Sequence, residues 1–263
     1  GGLVTRSFEV LVHNRAPTLV LTSDPLSVDE GSVLSIADLG RFTDPGFDNP
    51  LNTSDPNNGG ETVERFSYAI DWGDGVVETG QAPASLAVGM PGLATEGTLA
   101  ASHRYLDNDA DNRYTITVTL SDDDGGFDVR SIDVFVRNVN PTLEPVAATD
   151  VSRFGRTVLD VEFSDPGADS FEVLVDGGDR LNLPAADLFV VETVHAGSTP
   201  ATFSLIHVYQ GPPDPDNPSA DITIRVKIHD DDFAAPGVVA AGESNVEQVV
   251  ISQPGIGDQN PAA

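Results

Sequence analysis

The chain has 263 residues, 42 of them acidic and 13 basic, for a net charge of −29 and no cysteine. That balance excludes binding nucleic acid or an anionic membrane through the chain's own charge, and the missing cysteines exclude disulfide staples and thiolate metal sites. The length suits about two β-domains, and no apolar run is long enough to span a bilayer.

Taken in order, the chain first offers Phe8, Val10 and Val12 alternating with Ser7, Glu9 and Leu11, the period of a half-buried strand. The segment GGLVTRSFEVLVHNRAPTL from Gly1 returns, without a gap, as GGFDVRSIDVFVRNVNPTL from Gly125. Such self-similarity sets the architecture. Residues 1–14 are therefore expected to be an orphan closing strand of a preceding repeat. Either the chain is an excerpt of a longer polypeptide, the favoured expectation, or the strand is donated to a neighbouring subunit.

The first full repeat is expected over 15–138. Thr18 to Thr22 and Val33 to Ile36 are short strands, with a polar turn at Ser27 to Gly31. A long loop opens at Phe42-Thr43-Asp44-Pro45-Gly46 and continues through NPLNTSDPNNGG. Phe66 to Trp72 alternates again, and Gly73-Asp74-Gly75 turns the chain into Val76-Val77. The small apolar stretch 81–100 fits no clear element. From Tyr114 to Leu120 and from Ile132 to Val136 two alternating strands flank the acidic turn Asp122-Asp123-Asp124-Gly125-Gly126, and Asn138-Val139-Asn140-Pro141 ends the second.

The second repeat, expected over 139–253, echoes the first: Phe163-Ser164-Asp165-Pro166-Gly167, Val175-Asp176-Gly177-Gly178-Asp179, His207-Val208-Tyr209, the strand Ile222 to Ile228, the turn Asp230-Asp231-Asp232 and a closing strand Val246 to Ile251. Residues 254–263 read as a linker or tail. Many short strands separated by turn signals give an all-β chain of tandem antiparallel sandwiches.

At Tyr68-Ala69-Ile70-Asp71-Trp72-Gly73-Asp74-Gly75, His103-Arg104-Tyr105 and Tyr114 to Asp122, the chain resembles polycystic-kidney-disease (PKD) repeats. The F-T-D-P-G and N-x-x-P elements are similar to variants strung together in very large bacterial cell-surface proteins. The resemblance implies immunoglobulin-like sandwiches, an extracellular location, and spacing, adhesion or filament roles rather than catalysis. The second repeat departs from the pattern at Gly177 and Arg180.

The carboxylates carry the functional expectation. In an immunoglobulin-like sandwich, Asp44, Asp48, Asp165 and Asp169 and the turns Asp122 to Asp124 and Asp230 to Asp232 lie where the chain enters. The Asp29-Glu30 turn and the loop Asp107-Asn108-Asp109-Ala110-Asp111 lie where it leaves. Around Asn138 and Asn140 two such acidic ends are expected to meet, an arrangement similar to cadherin junctions. Calcium takes six to eight oxygen ligands from flexible loops, so the expected ligands are Asp29, Glu30, Asp44, Asp48, Asp107, Asp109, Asp111, Asp122, Asp124, Asn138, Asn140, Asp165, Asp169, Asp230 and Asp232. The bland alternative is a merely solvated acidic surface. Asp107 to Asp111 begins like an EF-hand loop but lacks its glycine and glutamate.

Trp72 is expected in the core and Asp74 in the turn. The scattered histidines, His13, His103, His195, His207 and His229, suggest no catalytic set, and no phosphate loop, nucleophile elbow or H-E-x-x-H motif occurs. The chain is therefore expected not to be an enzyme. Its expected partners are neighbouring repeats of the same or an identical chain. The alternative is a binding module for polysaccharide or a surface protein, accessory to a secreted enzyme.

Overall fold

The computed structural model describes residues 2–9, 13–49, 63–80, 83–109, 111–152, 155–178, 189–195 (backbone only), 200–209, 221–232 and 244–252. The expected loop 50–62, the tail from 253, positions 10–12 and the side chain of His195 lie outside them. Every regular element among the described residues is a strand. In chain order these are β1 (Thr18–Leu21), β2 (Leu26–Asp29), β3 (Val33–Asp44), β4 (Phe66–Asp71), β5 (Val77–Gly80), β6 (Ser85–Ala87), β7 (Thr95–Arg104), β8 (Arg113–Asp122) and β9 (Phe127–Arg137). Then follow β10 (Thr142–Leu143), β11 (Ala147–Ala148), β12 (Arg156–Ser164), β13 (Ser170–Asp176), β14 (Phe189–His195), β15 (Ala201–Val208), β16 (Ile222–Asp230) and β17 (Glu247–Ile251).

The chain divides into two compact units. One comprises Gly1–Val28, Val33–His103 and Arg113–Phe135; the other takes Asp29–Ser32, Arg104–Asn112 and Val136–Ala263. The turn and loop expected in the first sandwich thus group with the second unit. Backbone hydrogen bonds explain why: Glu30 N–H donates to Arg137 O (3.0 Å), Gly31 N–H to Tyr105 O (2.8 Å) and Ala168 N–H to Leu106 O (2.8 Å).

In the first unit one sheet runs β1-β3-β7-β6 and the other β2-β9-β8-β4-β5. Sheets of this order, with the last hairpin beside the third main strand, are immunoglobulin-like. Ile116, Val118 and Leu120 alternate inward on β8 and are fully buried. Phe42 from one sheet meets Phe66 from the other with ring centroids 4.7 Å apart. Three expectations change here. The stretch from Val33 to Asp44 is one strand of 12 residues, because Gly40 lets the ladder with β1 continue opposite Leu21. Ser27 to Asp29 belongs to a strand rather than a turn, since Val28 is buried and β2 pairs with β9. The stretch 81–100 supplies β6 and most of β7. Residues 2–9 carry no strand and leave Phe8 88% exposed; a lone strand with no ladder partner has nothing to fix its backbone.

Trp72 is fully buried. Its ring stacks on His103 at 4.6 Å and 11°, and His103 Nε2 lies 2.6 Å from Asp74 Oδ2, which makes the turn aspartate an anchor for the stack. Replacing His103 with Ala removes both contacts and is expected to cost about 1–2 kcal/mol. Thermal denaturation checks it, and an unchanged melting temperature would show the stack to be idle.

The second unit packs a sheet of β10, β11, β12 and β15 against the sheet β14-β13-β16-β17. Its core takes Leu159, Val161 and Phe163 from the first and Phe171, Val173, Ile224 and Val226 from the second. Phe163 and Phe171 repeat the inter-sheet aromatic pair at 4.8 Å. Where the first unit has Trp72, this one has Gly177, against which the His207 imidazole packs; a Cβ there would lie 2.8 Å from Nε2. Among the described residues no helix is long and apolar enough to cross a membrane.

Candidate metal centre

Each F-x-D-P-G segment ends a strand, and its aspartate closes a tight turn. Asp44 Oδ1 accepts the Gly46 N–H, and Asp165 Oδ1 accepts the Gly167 N–H at 2.6 Å. One oxygen of each carboxylate is thereby fixed, which directs the other inward. The glycines are required by crowding: a Cβ on Gly167 would lie 2.6 Å from Asp169 Oδ2 and 2.9 Å from Glu30 Cδ, and one on Gly46 would collide with the Glu64 carboxylate.

In the second unit, ligand oxygens of Glu30, Asp107, Asp169 and Asp232 lie within 4.8 Å of one another, as do those of Asp165, Asp169 and Asp230. Glu30 is 0% exposed and Asp169 3%. Glu30 Oε1 accepts the Val139 N–H at 2.6 Å, while Oε2 has no partner. Neither oxygen of Asp169 receives a hydrogen bond. Asp230 is held from both sides, by the Asp232 N–H (3.0 Å) and the Asn138 amide (3.2 Å), and the buried Asn138 Oδ1 has no donor.

Burial without compensation raises carboxyl pKa values. Asp169 is pushed up to about 9, first by desolvation and then by the charges of Glu30, Asp165, Asp107 and Asp230. Glu30 rises to about 7, again by burial first, although the Val139 N–H opposes the shift. Asp230 rises to about 6 by burial, opposed by the Asn138 amide. Asp107, Asp165 and Asp232 are raised as well, each chiefly by desolvation.

The first unit gathers Asp44, Glu64 and Asp122 within the same 4.8 Å. Asp122 accepts the Gly126 N–H (2.6 Å) and the Asn14 amide (2.8 Å). Asp44 is 1% exposed and its Oδ2 has no partner. Desolvation, and then the charge of Asp44, pushes Glu64 up to about 8.

Several expected ligands stand outside these groups. Asp29 pairs with Arg137 at 2.8 Å. Asp48 Oδ1 accepts the Glu64 N–H at 2.9 Å and so positions a ligand candidate. Asp109 Oδ1 accepts the Asp111 N–H at 2.9 Å and shapes its own loop, in which Asn112 takes a left-handed φ of 57°. Asp111 and Asp124 are exposed and join none of the groups, and Asn140 is exposed.

Glu64 was missed by sequence reasoning. It lies two residues before Phe66, which pairs with Asp122; Asp169 lies two residues before Phe171, which pairs with Asp230. Glu64 is thus the counterpart of Asp169 by register. An acidic residue two before the phenylalanine that opens the strand is the signal that could have found it.

No family model and no curated protein matches the chain. Similar solved structures include the PKD domain of an M14-like peptidase from Thermoplasmatales archaeon SCGC AB-540-F20, 14% identical over 44% of this chain and 98% of that one, with a TM-score of 0.31. The FN1–FN3 domains of chicken CNTN1 are 10% identical over 92% and 69% of the two chains, with a TM-score of 0.28. Titin domains I67–I69, in an E-to-A mutated variant, are 13% identical over 90% and 65%, also at 0.28. The immunoglobulin-like fold stands on strand order and core packing, independently of these likenesses.

Proposed function

We propose that the chain is a calcium-stiffened structural segment of PKD-type sandwiches in an extracellular cell-surface, adhesin or filament protein. The observation that carries this reading is Asp169, buried among Glu30, Asp107, Asp165, Asp230 and Asp232 with both oxygens lacking a donor. Buried charges persist when they are paired or coordinate a metal. Carboxylates on turns, joined by the amide of Asn138, are the oxygen donors a hard, flexible cation such as calcium prefers. The solvated-surface alternative is disfavoured because these carboxylates are buried. Full burial removes Trp72 and Tyr105 from any sugar-stacking face, which favours the spacer over the polysaccharide-binding module.

The test is thermal unfolding at pH 7.5 in chelator, then with calcium, magnesium or sodium at matched ionic strength. Calcium at 100 times its dissociation constant adds about 2.7 kcal/mol, which raises the melting temperature by about 5–10 °C. Magnesium, which dehydrates reluctantly, is expected to do less. Equal rescue by sodium would reduce the effect to screening and overturn the reading.

A further inference from the structure

We propose that Asp169 bridges two cations in the second unit, one bound with Asp165 and Asp230 and the other with Glu30, Asp107 and Asp232. The inference rests on the cation reading above and adds to it a stoichiometry and a shared ligand. Two ligand groups are present, and Asp169 is their common member. A bridging carboxylate needs both oxygens available, and Asp169 is buried with neither oxygen receiving a hydrogen bond.

The first unit repeats one of the two groups. Asp44, Glu64 and Asp122 correspond by motif and register to Asp165, Asp169 and Asp230, and Asn14 stands to Asp122 as Asn138 does to Asp230. This three-carboxylate arrangement therefore recurs in both units. In the second unit the turn Asp29–Ser32 and the loop Arg104–Asn112 add a second set of donors beside it. Six carboxylates on one cation would leave four uncompensated negative charges in a buried space; two divalent ions leave two. Carboxylate-bridged ions sit roughly 3.5–4 Å apart, a spacing that one bidentate bridge can span.

The test counts calcium bound to the full chain by equilibrium dialysis, with Asp44→Asn present throughout to silence the first unit's group. Two ions per chain are expected. Asp230→Asn and Asp232→Asn should each leave one, and Asp169→Asn should weaken both by tenfold or more. A single ion, abolished alike by Asp230→Asn and Asp232→Asn, would overturn the bridge while sparing the cation reading. No bound calcium and no thermal shift would instead overturn that reading. A measurement free of the further variants is energy transfer between europium and neodymium loaded together on the Asp44→Asn chain. Efficient transfer supports adjacent sites, and none excludes them.

Discussion

In chelator, the protein is expected to lose thermal stability steadily as pH rises from about 5 to about 9, and calcium is expected to abolish most of that slope. The sign follows from the direction of the shifts. Glu30, Asp230, Glu64 and Asp169 have folded pKa values of about 7, 6, 8 and 9, against ordinary values of 4.5 for glutamate and 3.8 for aspartate. The folded state therefore keeps protons that the unfolded state has released. Their contribution to stability is fully present below about pH 4 and is lost as pH rises through the folded values. The groups facing Asp169 are Glu30, Asp165, Asp107 and Asp230, all acidic; Arg137, whose carbonyl accepts the Glu30 N–H, pairs its side chain with Asp29 instead. A cation must displace those protons, so affinity climbs with pH. Asp169 alone contributes about tenfold per pH unit below its pKa, or about 100-fold between pH 6 and pH 8. Calorimetric titration in buffers of different ionisation enthalpy measures both the affinity and the protons released. A calcium affinity independent of pH across that interval would remove these carboxylates from the site.

Asp169→Asn is expected to act with opposite signs in the two conditions. The amide keeps the shape of the protonated acid and removes its charge. In chelator near pH 4, where the parent holds this proton both folded and unfolded, the variant should melt within about 2 °C of the parent. As pH rises from there to about 9 it should melt progressively higher, because the parent must take up a proton on folding to keep Asp169 neutral beside Glu30, Asp165, Asp107 and Asp230. With calcium, the gain of about 5–10 °C should fall to about 2 °C or less, since a charged ligand has been lost. A packing role alone predicts equal losses with and without calcium. Asp48→Asn is the control: the side chain accepts the Glu64 N–H, and an amide oxygen can do the same.

The turn chemistry of F-x-D-P-G and of the two triple-aspartate turns was legible in the chain, because those signals are local. So were β8, β9 and β16, whose side chains alternate between core and solvent. The hairpin of β8 and β9 follows from alternation alone, and its register, with Ile116 opposite Ile132, keeps Ile116, Val118 and Leu120 on one face with Ile132, Val134 and Val136. Local signals failed where a strand is held by its partner. The one-strand course from Val33 to Asp44 depends on the ladder with β1, and β7 depends on core positions filled by Thr95 and Leu99 within a stretch of small residues. They failed again in sorting the carboxylates that gather from those that do not. Asp48 and Glu64 are both acidic and close to the same turn, yet pairing of Phe66 with Asp122 puts Glu64 in the position that Asp169 holds beside Asp230. The sequence by itself thus determined an acidic, twice-repeated β-sandwich chain with carboxylates on its turns, because periodicity and turn preference act between near neighbours. Which carboxylates lose their water and come together was decided only by the tertiary structure, because desolvation and mutual repulsion depend on what is packed around a group and not on what precedes it in the chain.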